Sequence, residues 1–182
     1  MEFFGKARLK IGNSILTKRI SRTTRKKYYS GIAEVKTMGL IWDASRPEEF
    51  QELSRFHQRM NERNIDLTIL AYYPGKELPN QLTAIRYLTC MRKKDINFFY
   101  RPVSGEAESF ITKKFDVLID INFERLFPLY YITALSSSKF KVGLFDNGIA
   151  AGSLDLMMDL KKPVKIDNYL NEVINYLEMI KS

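Results

Sequence analysis

Cysteine and histidine are almost missing from this sequence: Cys90 and His57 each stand alone. A single cysteine rules out an internal disulfide and fits a reducing compartment. One residue of each type is too few for a Cys/His zinc site. No stretch approaches the ~20 consecutive apolar residues that a membrane span needs. Charges also interrupt the N-terminal region, so it lacks the apolar core of a signal peptide. Glycine is missing where a dinucleotide-binding fold would use it, because none lies between Asp43 and Glu48. There is no Walker A lysine and no G-x-S-x-G elbow. Internal repeats and low-complexity tracts are absent too. The expectation is a cytoplasmic protein without metal or cofactor. His57, inside a helical pattern beside Phe56, reads as structural or solvated, and Cys90 as a small core residue.

What is present is a strongly uneven charge. The chain has 29 Lys and Arg against 21 Asp and Glu. Nine of those cations and one acid, Glu2, fall in the first thirty residues, so the remainder balances at 20 of each. This divides the chain into a basic N-terminal arm, 1–30, and a neutral body, 31–182. An arm of this kind suits a polyanionic partner. Residues 2–20 have helical potential, with Phe3, Phe4, Ala7, Ile11 and Ile15 on one side and Leu9, Leu16 and Ile20 elsewhere. The expected arrangement is a helix over 2–17, docked by Phe3, Phe4, Ile11 and Ile15, with 18–30 running over the surface and too charged to be buried.

The body alternates strands and helices. Met38–Trp42 reads as a first strand. Ser45 and Glu48 form a capping-box pattern, with Pro47 at the start of a helix that runs to about Arg63. Asp66–Tyr73 is a nearly continuous apolar run, the mark of a strand covered on both faces. A helix or helical turn is expected over 80–92, a third strand over Ile96–Tyr100 and a short helix over 105–113. Phe115–Ile121 is the clearest strand, followed by an apolar helix over Glu124–Leu135. Lys141–Phe145 reads as a fifth strand and Leu154–Leu160 as a sixth, at an edge. The last helix, Ile166–Ile180, has apolar residues at clean i, i+3/i+4 spacing. The pattern predicts an α/β three-layer, Rossmann-like sandwich on a mainly parallel sheet of five or six strands.

Right-handed crossovers bring every strand's C-terminal end to one rim, where ligands of such sheets bind. The rim candidates are Asp43, Ser45 and Arg46 after the first strand, and Asp120, Asn122, Glu124 and Arg125 after the fourth. Tyr72 and Tyr73 follow the second strand, Tyr100 and Arg101 the third, and Asp146 and Asn147 the fifth. Carboxylates beside arginines can hold a polar ligand or carry out acid–base work. Asn147-Gly148, with Gly152 nearby, reads as a turn rather than a phosphate cradle. Phe98, Phe99, Tyr100 and Arg101 lack the glycine that an RNA-binding aromatic platform of the RRM type requires.

Two resemblances bear on this. Phe115-Asp116-Val117-Leu118-Ile119-Asp120, the helix after it and Ser138-Lys139-Phe140-Lys141-Val142-Gly143 resemble part of the N-terminal domain of lipopolysaccharide heptosyltransferases. That resemblance implies a shared fold. The second Rossmann-like domain that holds the sugar nucleotide in that family has no counterpart here, so the activity does not carry over. The whole chain, with its basic arm and its Gly-Leu-Ile-Trp-Asp and Phe-Asp-Val-Leu-Ile-Asp-Ile strands, is similar to an uncharacterised family of small bacterial α/β proteins, which implies no function.

The resulting expectation is a non-enzymatic binding protein. Its arm, residues 6–27, contacts nucleic acid or a ribonucleoprotein through Lys18, Arg19, Arg22, Arg25, Lys26 and Lys27. A peripheral anionic membrane is a less favoured partner, and a homodimer an additional one. The alternative is a small-ligand-binding or glycosyltransferase-like enzyme using the rim, with Asp120 as base or hydroxyl acceptor and Arg46 holding an anionic group.

Overall fold

Alternating apolar strands become one parallel sheet. The computed structural model describes residues 2–29, 31–145 and 153–180, with side chains from Gly5 onward. The strands are β1 (Thr37–Asp43), β2 (Asp66–Tyr72), β3 (Leu88–Met91), β4 (Val117–Ile121), β5 (Phe140–Leu144) and β6 (Leu156–Met158). They lie in the order 3-2-1-4-5-6, all parallel. The helices are α1 (Glu2–Ile20), α2 (Phe50–Glu62), α3 (Gly105–Thr112), α4 (Phe127–Leu135) and α5 (Ile166–Met179). Successive strand residues point to opposite faces. Met38, Leu40 and Trp42 pack with Leu53 and Phe56 of α2 and Tyr169 and Val173 of α5. Ile41, Leu70 and Leu118 pack with Phe110 of α3, Leu129 and Ile132 of α4, and Leu16 of α1. This is the three-layer α/β architecture the alternation implies, with six strands.

Three local expectations are corrected. Residues 80–92 hold a single 3-10 turn, Asn80–Leu82, and then strand β3 rather than a helix. Thr89 and Cys90 are only half-buried on this edge strand, so it lacks the apolar run that marked the inner strands. Residues 96–100 are not the third strand. They form a turn closed by the Ile96–Pro102 bridge, with Asn97 accepting from the N–H groups of Phe99 and Arg101 and Tyr100 at φ 61°. The Ser45–Glu48 capping box does not form. Ser45 donates both its N–H and its hydroxyl to the Asp43 carboxylate, and the helix starts with a 3-10 turn at Pro47–Glu49.

The arm is helical, but it docks by a different face. Ile11 is exposed at 45%, while Leu16 is buried. The Phe3 and Phe4 side chains lie outside the described set. A Cβ on Gly12 would stand 2.5 Å from the Phe99 carbonyl oxygen and 3.0 Å from the Phe127 ring, so only glycine lets α1 come this close. One turn away, Arg8 donates to the Phe98 carbonyl at 2.6 Å, and its guanidinium lies 4.2 Å and 4.4 Å from the Phe98 and Tyr100 ring centres. Such contacts are cation–π interactions. Arg19 donates to the Tyr131 hydroxyl at 3.0 Å and pairs with Glu108. The docking stripe is therefore Arg8, Gly12, Leu16 and Arg19.

Residues 21–29 follow the body, and they contain a buried charge after all. Arg25 grips Asp155 with two bonds of 2.6 and 2.7 Å and also donates to the carbonyls of Ser138 and Lys139. The Asp155 side chain has no exposure and that of Arg25 has 9%. Burial raises the Asp155 pKa, but the bonds from Arg25, Lys27 and the Lys141 N–H outweigh it and hold the carboxyl below its usual range. Arg25→Ala is expected to cost about 3 kcal/mol, because it strips a buried carboxylate of its main partner. Lys27→Ala is expected to cost less than about 1 kcal/mol, since that side chain is half exposed. Urea denaturation of the two variants checks the difference.

A crevice at the switch point as candidate functional site

Strand order reverses between β1, which leads away toward β2 and β3, and β4, which leads toward β5 and β6. The C-terminal ends of strands at such a reversal diverge and leave a crevice. Here it has a volume of about 530 Å³. Arg46 reaches it from the loop after β1, and Asp120, Asn122, Glu124 and Arg125 from β4 and the turn that follows. Gly143 and Leu144 come from β5, Phe145 follows it, and Lys162 comes from the segment before α5.

The turn after β4 is built by Asn122. Its side-chain oxygen accepts from the Leu126 N–H at 2.8 Å and its amide donates to the Leu126 carbonyl at 3.0 Å. This clamp closes residues 122–126 into a loop, puts Arg125 at φ 53° and delays α4 to Phe127, three residues later than the apolar pattern starts. A non-glycine residue held at positive φ is a local strain of the kind found at binding sites. Pro128 sits in the first turn of α4, where its missing N–H costs nothing.

Asp120 is the chemical centre of the crevice. It accepts from the Thr133 hydroxyl at 2.6 Å and from the Asn122 N–H at 2.8 Å. Burial pushes its pKa up to about 6, against these two bonds and the charge of Arg125. The Tyr169 hydroxyl is fully buried and has no hydrogen-bond partner among the described residues. Burial, with Asp120's charge adding to it, raises that hydroxyl well above its ordinary pKa. Thr133 links the site inward, since its carbonyl accepts from the Lys141 amine at 2.8 Å. Lys141 is 1% exposed, and burial, reinforced by Arg25, lowers its pKa to about 7.

Of the rim candidates, the structure brings Arg46, Asp120, Asn122, Glu124 and Arg125 together. Asp43 and Ser45 satisfy each other and do not line the crevice. Tyr100 and Arg101 are carried away to the α1 side, with Arg101 5.9 Å from the Tyr131 ring. Asp146, Asn147, Gly148 and Gly152 lie outside the described residues. Lys162 was missed, although the loop after β6 must meet the same rim once β6 is parallel. Trp42 is buried against Phe50 and does not close the crevice. His57 stacks on Tyr87 at 3.5 Å, and burial lowers its pKa. The Cys90 thiol is pushed up to about 11 by burial, so it is not a nucleophile at neutral pH. Among the described residues no cluster of His, Cys, Asp and Glu is suited to a metal, and no helix is long and apolar enough to cross a membrane.

The polyanion candidates divide into two groups. Arg19, Arg25 and Lys27 are committed to Tyr131 and Glu108 or to Asp155. Lys18, Arg22 and Lys26 are exposed and have no ion pair among the described residues.

The chain belongs to DUF6913, a family of unknown function whose model matches residues 7–180. That match covers the arm from residue 7, within α1, together with the whole sheet. No curated protein matches the chain.

The raised Asp120 pKa has a consequence for stability. A carboxyl whose folded pKa of about 6 exceeds its unfolded value of about 3.9 stabilises the fold fully below the unfolded value. That contribution is lost as pH rises through 6. Asp120→Asn keeps the shape and has no charge to bury. Its stability relative to the unsubstituted chain should therefore rise from pH 4 to pH 7, by up to about 3 kcal/mol. Paired urea melts at the two pH values check the trend.

Proposed function

For this member of an uncharacterised family, we propose that the switch-point crevice binds a small anionic ligand that also carries a hydroxyl group, such as a phosphorylated or carboxylated metabolite. The observation that supports it most is the convergence of Arg46, Arg125 and Lys162, from three separate segments, on one cavity above Asp120. Cations gathered on one cavity raise its potential and attract an anionic ligand. Arg46 pairs with Glu49 at 3.0 Å, yet its side chain stays 59% exposed and keeps donors for a ligand. Asp120 has a lone pair left on each oxygen and can accept from a ligand hydroxyl. Leu144, Phe145 and Leu154 supply the apolar wall that small-ligand sites use. Asn122 is 7% exposed and spends one bond from each end of its amide on the Leu126 backbone, so its role is to hold the loop.

The stretch that resembles heptosyltransferases, 115–143, spans β4, α4 and most of β5, which are the elements that build this crevice. Sugar phosphates head the set of compounds to try, because they carry an anion and hydroxyl groups together. In a thermal-shift screen of these with carboxylate metabolites, at least one is expected to raise the melting temperature. Arg46→Ala and Lys162→Ala, both surface substitutions, should each weaken its binding about tenfold in titration calorimetry, the scale of one charge-assisted bond. Affinity should also fall as pH drops through about 6, where Asp120 loses its charge and one acceptor, and Asp120→Asn should remove that dependence. A screen without hits, or hits indifferent to both substitutions, refutes the reading.

A further inference from the structure

The opposite edge of the sheet has its own cavity, of about 770 Å³, lined by Thr24, Arg25, Lys26, Tyr28, Lys114, Ser137 and Lys139. Lys114 precedes β4, and Ser137 and Lys139 precede β5, so this groove lies at the N-terminal ends of the strands, away from the crevice. Four of its seven lining residues are cations and none is an acid. Arg25 and Lys139 are held by Asp155 and Asp116. Lys26 and Lys114 are exposed and have no ion pair among the described residues. The groove thus has a fixed cationic wall and two uncompensated charges.

Its other feature is an aromatic ring. Tyr28 is 53% exposed, yet its backbone is fixed by the N–H bond to the Lys139 carbonyl. The next residue, Tyr29, is anchored with its ring 5.0 Å from that of Phe140, edge to face. A ring presented on a pinned backbone beside unpaired lysines has the components of a single-strand platform, in which bases stack and cations follow the phosphates. The chain just before it adds Arg22, four residues from Lys26 and so within about 14 Å of it. A bilayer surface does not enter a concave groove of this kind, whereas a phosphodiester strand does.

We propose that the groove of Lys26, Tyr28 and Lys114 binds single-stranded nucleic acid, with Tyr28 stacking on a base and the lysines contacting phosphates. This site is independent of the crevice, and its success or failure leaves the small-ligand reading untouched.

The test uses the full chain and a short fluorescein-labelled oligouridine or oligothymidine, read by fluorescence anisotropy at two salt concentrations. The unsubstituted chain should bind and weaken as salt rises. Lys26→Ala with Lys114→Ala should lower the slope of log K against log salt by about 1.4, from ~0.7 per phosphate contact on single strands. Tyr28→Ala should lose about tenfold or more in affinity with little change in that slope. All three side chains are exposed, so unchanged melting curves will verify that the variants fold. Absence of binding overturns the proposal, as does binding that survives the lysine pair or Tyr28→Ala unchanged. Flotation with phosphatidylserine vesicles in the absence of oligonucleotide binding assigns the charge to a membrane instead and also overturns it.

Discussion

A carboxylate without any exposure needs partners, and Asp155 obtains them from three residues in two parts of the chain. Arg25 supplies two bonds, Lys27 an ammonium at 2.9 Å and Lys141 its backbone N–H at 3.0 Å. Unpaired, such a charge costs several kcal/mol, so the geometry admits few alternatives. It fixes the path of residues 25–29, and thereby where α1 can reach back to α4. It also ties the start of β6 to β5, across the edge of the sheet. From there contacts run inward: the Lys141 amine bonds the last carbonyls of α4, those of Thr133 and Ala134, and the Thr133 hydroxyl bonds Asp120. Arm, edge strand, helix end and crevice are joined through Arg25, Asp155, Lys141, Thr133 and Asp120.

This explains what could be read from the sequence and what could not. Strands β1, β2, β4 and β5 are buried on both faces, so each is written as an apolar run, and α2 and α5 show a regular apolar stripe. Edge strand β3 is half-exposed at Thr89 and Cys90, so it carries no such run. The face on which α1 docks is harder still. Its contacts are a glycine that makes room, two arginines on aromatic rings and hydroxyls, and one leucine. Apolar periodicity cannot reveal a face whose central feature is a missing side chain. The burial of Arg25 was equally hidden, because its partner lies 130 positions away and charge alone argued for exposure.

The crevice was more legible than the arm. Once a parallel sheet is inferred, the rule about strand ends leads to Arg46, Asp120 and Arg125 without any motif. The same rule fails where local chemistry intervenes. Asp43 and Ser45 satisfy each other, because an aspartate two residues before a serine readily forms an Asx turn. Asn122 bonds the Leu126 backbone from both ends of its amide and becomes a builder of the site. Residue types at a rim indicate candidates, and only their hydrogen bonds separate those with capacity left for a ligand.

Asp120 and Lys141 are both buried ionisable groups whose neutral forms are favoured by burial, and both make the fold less stable near neutral pH than apolar residues would. Their surroundings differ in a way that separates structure from function. Lys141 lines none of the described cavities, and its amine is absorbed by two carbonyls at a helix end, the place where a cationic group is favoured by the helix dipole. Two of its three donors are thus taken up inside the fold. Asp120 faces a cavity bordered by three cations, and the two bonds it accepts leave a lone pair on each oxygen. The charge of Arg125 offsets part of the Asp120 burial cost as well, and the Asp120 pKa still stays raised to about 6. In the proposed reading a ligand brings a hydroxyl to Asp120 and an anion to the cationic rim, a use for which the enclosed Lys141 has no cavity.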